Sequence, residues 1–116
     1  MARLEREDEA HFLDFCTGLG IRCEKLKMAS KGSWPDRTLL YRGHVRFHEL
    51  KRRGESPTPL QLYTIDQLKS QGFEVGWSND LEQAKFIVIA WKHYVDDLLD
   101  SRSSMDSLRT SNSTNR

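Results

Sequence analysis

At 116 residues, 37% of them hydrophobic and with a mean hydropathy of −0.68, the chain can build one modest core and not two. No apolar run approaches the roughly 20 residues needed to span a bilayer, and the opening Met1-Ala2-Arg3-Leu4-Glu5-Arg6-Glu7-Asp8-Glu9 is too charged for a secretory signal. The formal net charge of +1 looks indifferent to polyanions, but residues 22–53 set ten basic against three acidic side chains, a local +7 that leaves −6 for the rest.

Residues 4–19 read as a helix, with Leu4, Ala10, Phe12-Leu13, Phe15-Cys16 and Leu19 roughly on one stripe and Gly18 and Gly20 at its end. Ile21 to Met28 is expected to form a first strand and 29–35 a loop of small residues. Two β-rich runs follow, Thr38–Tyr41 and His44–Leu50, separated by Arg42-Gly43; an X-Gly pair between such runs predicts a hairpin over 37–51. A helix is expected over 58–71, with Thr58 as N-cap, Pro59 at the first helical position and Gly72 as the stop. Phe73–Trp77 reads as a short strand, and Asn79-Asp80-Leu81-Glu82 as a capping box that opens a last helix. In that helix Leu81, Ala84, Val88, Trp91, Val95 and Leu98 recur at helical spacing, although Phe86–Ile89 also suits a buried strand. The stripe is core first and a dimer surface second. Residues 101–116, rich in Ser, Asn, Thr and Arg, are expected to be a disordered tail after one domain at 1–100. Cys16 and Cys23 lack metal-ligand spacing and suit free thiols in a reducing, cytoplasmic setting.

The hairpin carries the chemistry. If Arg42-Gly43 is the loop, Tyr41 faces His44, Leu40 faces Val45, Thr38 faces Phe47, and Asp36 faces Glu49. Directly opposed residues lie about 4.5–5.5 Å apart at Cβ and point to one side, and the two-residue pleat brings Lys51 to that side as well. Two carboxylates so placed repel unless a cation lies between them. Mg²⁺ or Mn²⁺ suits the position, because such an ion takes one or two carboxylates and fills its other sites with water and phosphate oxygens. Asp36 and Glu49 would hold the ion, the Leu50 backbone carbonyl could add a further oxygen, and Lys51 could stabilise charge developing on a scissile phosphate. Glu-x-Lys alone arises by chance about 0.4 times in a chain of this length; the opposed Pro35-Asp36 is what makes it informative. The bland alternative is a cross-strand ion pair on a solvated face.

Arg52-Arg53, directly after Lys51, are expected to contact phosphates, with Lys31 and Arg37 from the same basic segment beside them. Trp34 is placed to stack on a base. His44 and His48 fall on the face opposite Glu49 and read as ordinary surface histidines, Trp77 and Trp91 as core, and Tyr41 as packing.

Gly32-Ser33-Trp34-Pro35-Asp36-Arg37, Phe47-His48-Glu49-Leu50-Lys51, Ser56-Pro57-Thr58-Pro59-Leu60-Gln61 and Gly72-Phe73-Glu74-Val75 resemble, in order and spacing, the VRR-NUC family of virus-type replication-repair nucleases in the PD-(D/E)xK superfamily. The resemblance spans residues 5–80. It implies an α/β fold with a restriction-endonuclease-like core, a mixed sheet and the order α-β-β-β-α-β-α. It also implies metal-dependent cleavage of DNA, branched or duplex, by a phage or bacterial protein that forms a homodimer. By position Asp36 and Glu49 match the metal-binding acids and Lys51 the catalytic lysine. Gln61 matches a glutamine that orients the lysine or the phosphate, and Glu9 (or Glu5, one turn away) matches an acid from the first helix that completes the metal site. Trp34 stands where the family has a smaller residue, and Gly20-Ile21 where it has Gly-Gly. The expectation is therefore a Mg²⁺- or Mn²⁺-dependent endonuclease; the rival is a non-cleaving nucleic-acid-binding subunit on the same scaffold.

Overall fold

The computed structural model describes residues 6–26 and 32–114, with 103–104 and 106–114 given by backbone alone. Its elements are α1 (Arg6–Gly18), β1 (Arg22–Glu24), β2 (Arg37–Tyr41), β3 (His44–Leu50), α2 (Pro59–Ser70), β4 (Glu74–Ser78) and α3 (Leu81–Thr114). The four strands form one sheet in the order β1-β2-β3-β4, antiparallel except for the parallel β3–β4 pair. The fold class is the one expected: a small α/β domain with a mixed sheet.

The hairpin turns as its letters require. Arg42 and Gly43 both take positive φ, 49° and 83°, the two-residue turn that matches strand twist. Register follows from it, with Tyr41 opposite His44, Thr38 opposite Phe47 and Arg37 opposite His48. One step further the same register sets Asp36 against Glu49.

Pleating then divides the sheet into two faces. On one, Leu39 and Leu50 join Phe12 and Cys16 of α1 and Ala84, Val88, Trp91 and Val95 of α3 in the main core. On the other, Phe47 and Trp77 pack with Trp34 against Ile65, Leu68 and Val75, so α2 covers that side. Burying each large apolar side chain contributes about 1.5–3 kcal/mol. The continuous Phe86–Ile89 run is helical, with Val88 fully buried and Phe86 73% exposed.

Several boundaries differ from those predicted. β1 ends at Glu24, and residues 27–28, the end of the predicted strand, lie outside the described residues. On α3, Leu99 rather than Leu98 packs on the core, because at 3.6 residues per turn the buried stripe advances by four after Val95. The start of that helix is also one residue later than the predicted box. Asp80 Oδ2 accepts from Gln83 N at 3.3 Å, and Gln83 Oε1 accepts from Asn79 N at 3.4 Å. The helix runs on to Thr114 through the segment expected to be disordered. Once the packed half has formed, each further residue adds a hydrogen bond without a new nucleation cost.

His48 is buried, not a surface residue. It has no solvent exposure, stacks over Phe12 at 6.5 Å, and shares a 2.8 Å hydrogen bond between Nε2 and Ser78 Oγ. Removal from water, and after it the nearby Arg46 charge, push its pKa down to about 3. Cys16 and Cys23 are free thiols on α1 and β1, joined by a hydrogen bond that raises the Cys16 pKa and lowers that of Cys23. Among the described residues no helix is long and apolar enough to cross a membrane.

Candidate functional site

Four residues of the predicted set meet where β2 begins and β3 ends. The Asp36 backbone N–H donates to Glu49 Oε1 at 3.0 Å, and the Leu50 backbone N–H donates to Asp36 Oδ1 at 3.1 Å. Each acid thus accepts from the strand that carries the other, which fixes both carboxylates at the seam. Lys51 Nζ lies 3.1 Å from Glu49 Oε2, and both side chains are nearly inaccessible, 4% and 3% exposed. A pair so far from solvent is not the surface ion pair of the bland alternative. It needs good geometry and further hydrogen bonds to offset desolvation.

Gln61 supplies one of those bonds. Its Nε2 donates to Glu49 Oε2 at 3.2 Å and, over a long 3.5 Å, to the Gly32 carbonyl. The amide is aimed by the helix start itself: Gln61 Oε1 accepts from Thr58 N, and Gln61 N donates to Thr58 Oγ1. This reciprocal capping box satisfies two orphan donors at the head of α2 and points the remaining amide hydrogens into the cluster. The Thr58-x-x-Gln61 pattern stands in the letters, so this second use of Gln61 was legible. Behind the cluster, the Lys51 N–H donates to the Ser78 carbonyl at 2.8 Å and ties the end of β3 to β4.

Glu9 is placed otherwise. Its carboxylate accepts from Arg37 Nη2 at 3.3 Å, and the Arg37 side chain is only 6% exposed. The register pairs Arg37 with His48, so it lies on the helix-covered face opposite Asp36. Its expected role as a phosphate contact is therefore corrected: pleating turns the guanidinium inward, where α1 supplies its partner. Among the described residues no three His, Cys, Asp or Glu side chains cluster closely enough to hold one ion. The donor set at the seam is two carboxylates, which still fits Mg²⁺ or Mn²⁺, since such ions take most of their ligands from water and phosphate. Lys31 and Glu5 lie outside the described residues.

Several cations of the basic segment already hold carboxylates, Arg22 one from within the segment and Arg42 and Arg53 acids from outside it. Arg22 pairs with Glu24 at 2.6 Å, Arg42 with Asp96 at 2.8 Å, and Arg53 with Asp80 at 3.0 Å. Arg52 and Arg53 remain exposed and, with Asp8, Asn79, Asp80 and Glu82, line a cleft of about 380 Å³. The Arg53 bond is the main reason the Asp80 carboxyl is held below its usual range. Trp34 packs edge-on against Phe47 at 5.5 Å and is half-buried.

No protein-family model matches the chain, and no curated protein matches it. Among solved structures, one described as a VRR_NUC domain superposes with a TM-score of 0.65 and 24% sequence identity, over 75% of this chain and 96% of that one. The class is therefore defined by architecture: a restriction-endonuclease-like α/β domain. Its particular form is the VRR_NUC fold, as the resemblance implied.

Proposed function

We propose that the protein is a Mg²⁺- or Mn²⁺-dependent endonuclease that hydrolyses phosphodiester bonds in DNA, with branched DNA as the preferred substrate and a homodimer as the working form. The observation that carries this reading is the buried seam at which Asp36, Glu49, Lys51 and Gln61 converge. The VRR_NUC fold supports it.

Asp36 and Glu49 would hold the ion, with the Leu50 carbonyl as a further oxygen. When bound, the ion supplies a more acidic water and charge stabilisation at the phosphate. The chain's own residues do the rest. Lys51, held by Glu49 before any substrate arrives, sets a positive charge beside the ion and needs no reorganisation as negative charge builds on the phosphate. Gln61 keeps Glu49 turned toward the seam while Lys51 engages the substrate. Exposed Arg52 and Arg53 contact the flanking backbone.

The test is nicking of plasmid, flap and four-way-junction DNA with Mg²⁺ or Mn²⁺, beside Asp36→Asn and Lys51→Met. Loss of cutting in both folded variants, with binding kept, supports the assignment. Equal cutting by all three proteins refutes it. Binding without cutting by every protein, wild type included, replaces it with a non-cleaving nucleic-acid-binding subunit.

A further inference from the structure

On the sheet face opposite the candidate site, β3, β4 and α3 enclose an open groove of about 390 Å³, at the small end of the ligand-sized range. Phe86, Ala90, Trp91 and Tyr94 of α3 form an apolar wall, Arg46 lies within, and Glu74 is at the rim. Phe86 and Tyr94 are 73% and 53% exposed, a large aromatic surface to leave in water.

Arg46 is unusual for a cation. Its side chain is 12% exposed, yet the nearest carboxylate is 3.9 Å away on Glu74, itself 49% exposed. The buried Nε finds no acceptor among the described residues, nor does the buried Nε1 of Trp91 on the same wall. Room for the guanidinium comes from Gly76, where any Cβ would stand 2.7 Å from Arg46 Nη2. A desolvated guanidinium this poorly paired is costly, and an incoming carboxylate would relieve that cost.

We infer that this groove docks a short peptide segment of a partner protein, one that places an aromatic or branched aliphatic side chain against Phe86, Trp91 and Tyr94 and an adjoining carboxylate on Arg46. The occupant follows from complementarity. A nucleic-acid backbone would meet one recessed cation between aromatic walls and an acidic rim. A second copy seated with this groove on the two-fold axis would set guanidinium toward guanidinium and leave both concavities unfilled. An acidic, aromatic-ended peptide fills the volume and supplies the missing acceptor.

The experiment is fluorescence polarisation with the full chain and a fluorescein-labelled peptide ending Asp-Asp-Leu-Phe. Control peptides replace both Asp by Asn and amidate the terminus, or replace Leu-Phe by Gly-Gly. Binding on the order of 10–100 µM is expected for a contact of this size, at least tenfold weaker with either control peptide. Arg46→Met, which keeps the stem and removes the charge, and Phe86→Ala, which alters only an exposed side chain, should each weaken it at least tenfold. Glu74→Gln, which removes the competing rim acid, should strengthen it. Equal binding of all three peptides, or binding indifferent to Phe86→Ala and Arg46→Met in proteins shown to be folded, overturns the inference. So does absence of peptide binding together with a dimer that Phe86→Ala dissociates. None of these readouts depends on DNA cleavage.

Discussion

Lys51 and Glu49 can be tested as a pair, because function and stability meet there. Both side chains are about as buried as core residues, so removing one strands the other away from water. Breaking such a pair costs about 3–5 kcal/mol. For Lys51→Met the lower end applies, since Glu49 keeps the Asp36 N–H and the Gln61 amide as donors. For Glu49→Gln the cost is limited because the amide oxygen still accepts from the Lys51 ammonium. Removing both partners leaves no unpaired charge, so the double variant should be more stable than the summed single losses imply by about 1–3 kcal/mol. Against a total stability of about 5–15 kcal/mol, each single variant stays mostly folded in the cold. Urea unfolding followed by fluorescence of Trp34, Trp77 and Trp91 gives all four corners of the cycle, and nicking is then assayed where each protein is folded. Additive losses below about 1 kcal/mol each would refute the buried, coupled pair. A folded Lys51→Met that nicks like wild type would refute the catalytic lysine while leaving the pair intact.

Three further outcomes are expected. The folded state resists protonation of His48 while the unfolded chain accepts a proton near pH 6.5; stability from this residue is therefore full above that pH and falls as pH drops toward 3. Between pH 7.5 and 5 wild type should lose about 2 kcal/mol more than His48→Gln, and equal losses in denaturant titrations would contradict a buried neutral imidazole. Thr58→Ala removes the side-chain half of the α2 capping box and should cost about 1 kcal/mol, read as a lower urea midpoint. Arg53→Gln should weaken DNA binding at every sequence and reduce the salt slope by about 1, whereas Asp80→Asn, which frees that guanidinium, should tighten binding; opposite signs in mobility-shift titrations would place the DNA elsewhere.

What the letters disclosed was short-range or periodic. Arg42-Gly43 specifies its turn through backbone sterics alone, and a two-residue turn leaves one register, so the opposition of Asp36 and Glu49 follows from local rules. The α3 stripe was legible for the same reason, up to the one-residue drift that exchanges Leu98 for Leu99. Charges were not legible in this way, because an ion pair depends on which distant segment the fold brings alongside. Arg37 lies in a basic run, but one pleat step turns it from the Asp36 side to the α1 side, where Glu9 meets it 28 residues away in sequence. Arg42 finds Asp96 on α3, and Arg53 finds Asp80 just before that helix, by the same logic.

That pairing alters what the basic segment can do. A net +7 over residues 22–53 reads as an attractive field only if its cations face solvent alone. In the fold acids from outside the segment are brought against it, so Arg37, Arg42 and Arg53 already hold carboxylates. A phosphate arriving at Arg53 competes with Asp80 for part of an exposed guanidinium, and the exposed pair it competes with is worth at most about 1 kcal/mol. Affinity for an unremarkable duplex should therefore be weak, and discrimination should fall to the buried seam, where Lys51 has no competing solvent and only Glu49 and an incoming phosphate can share it.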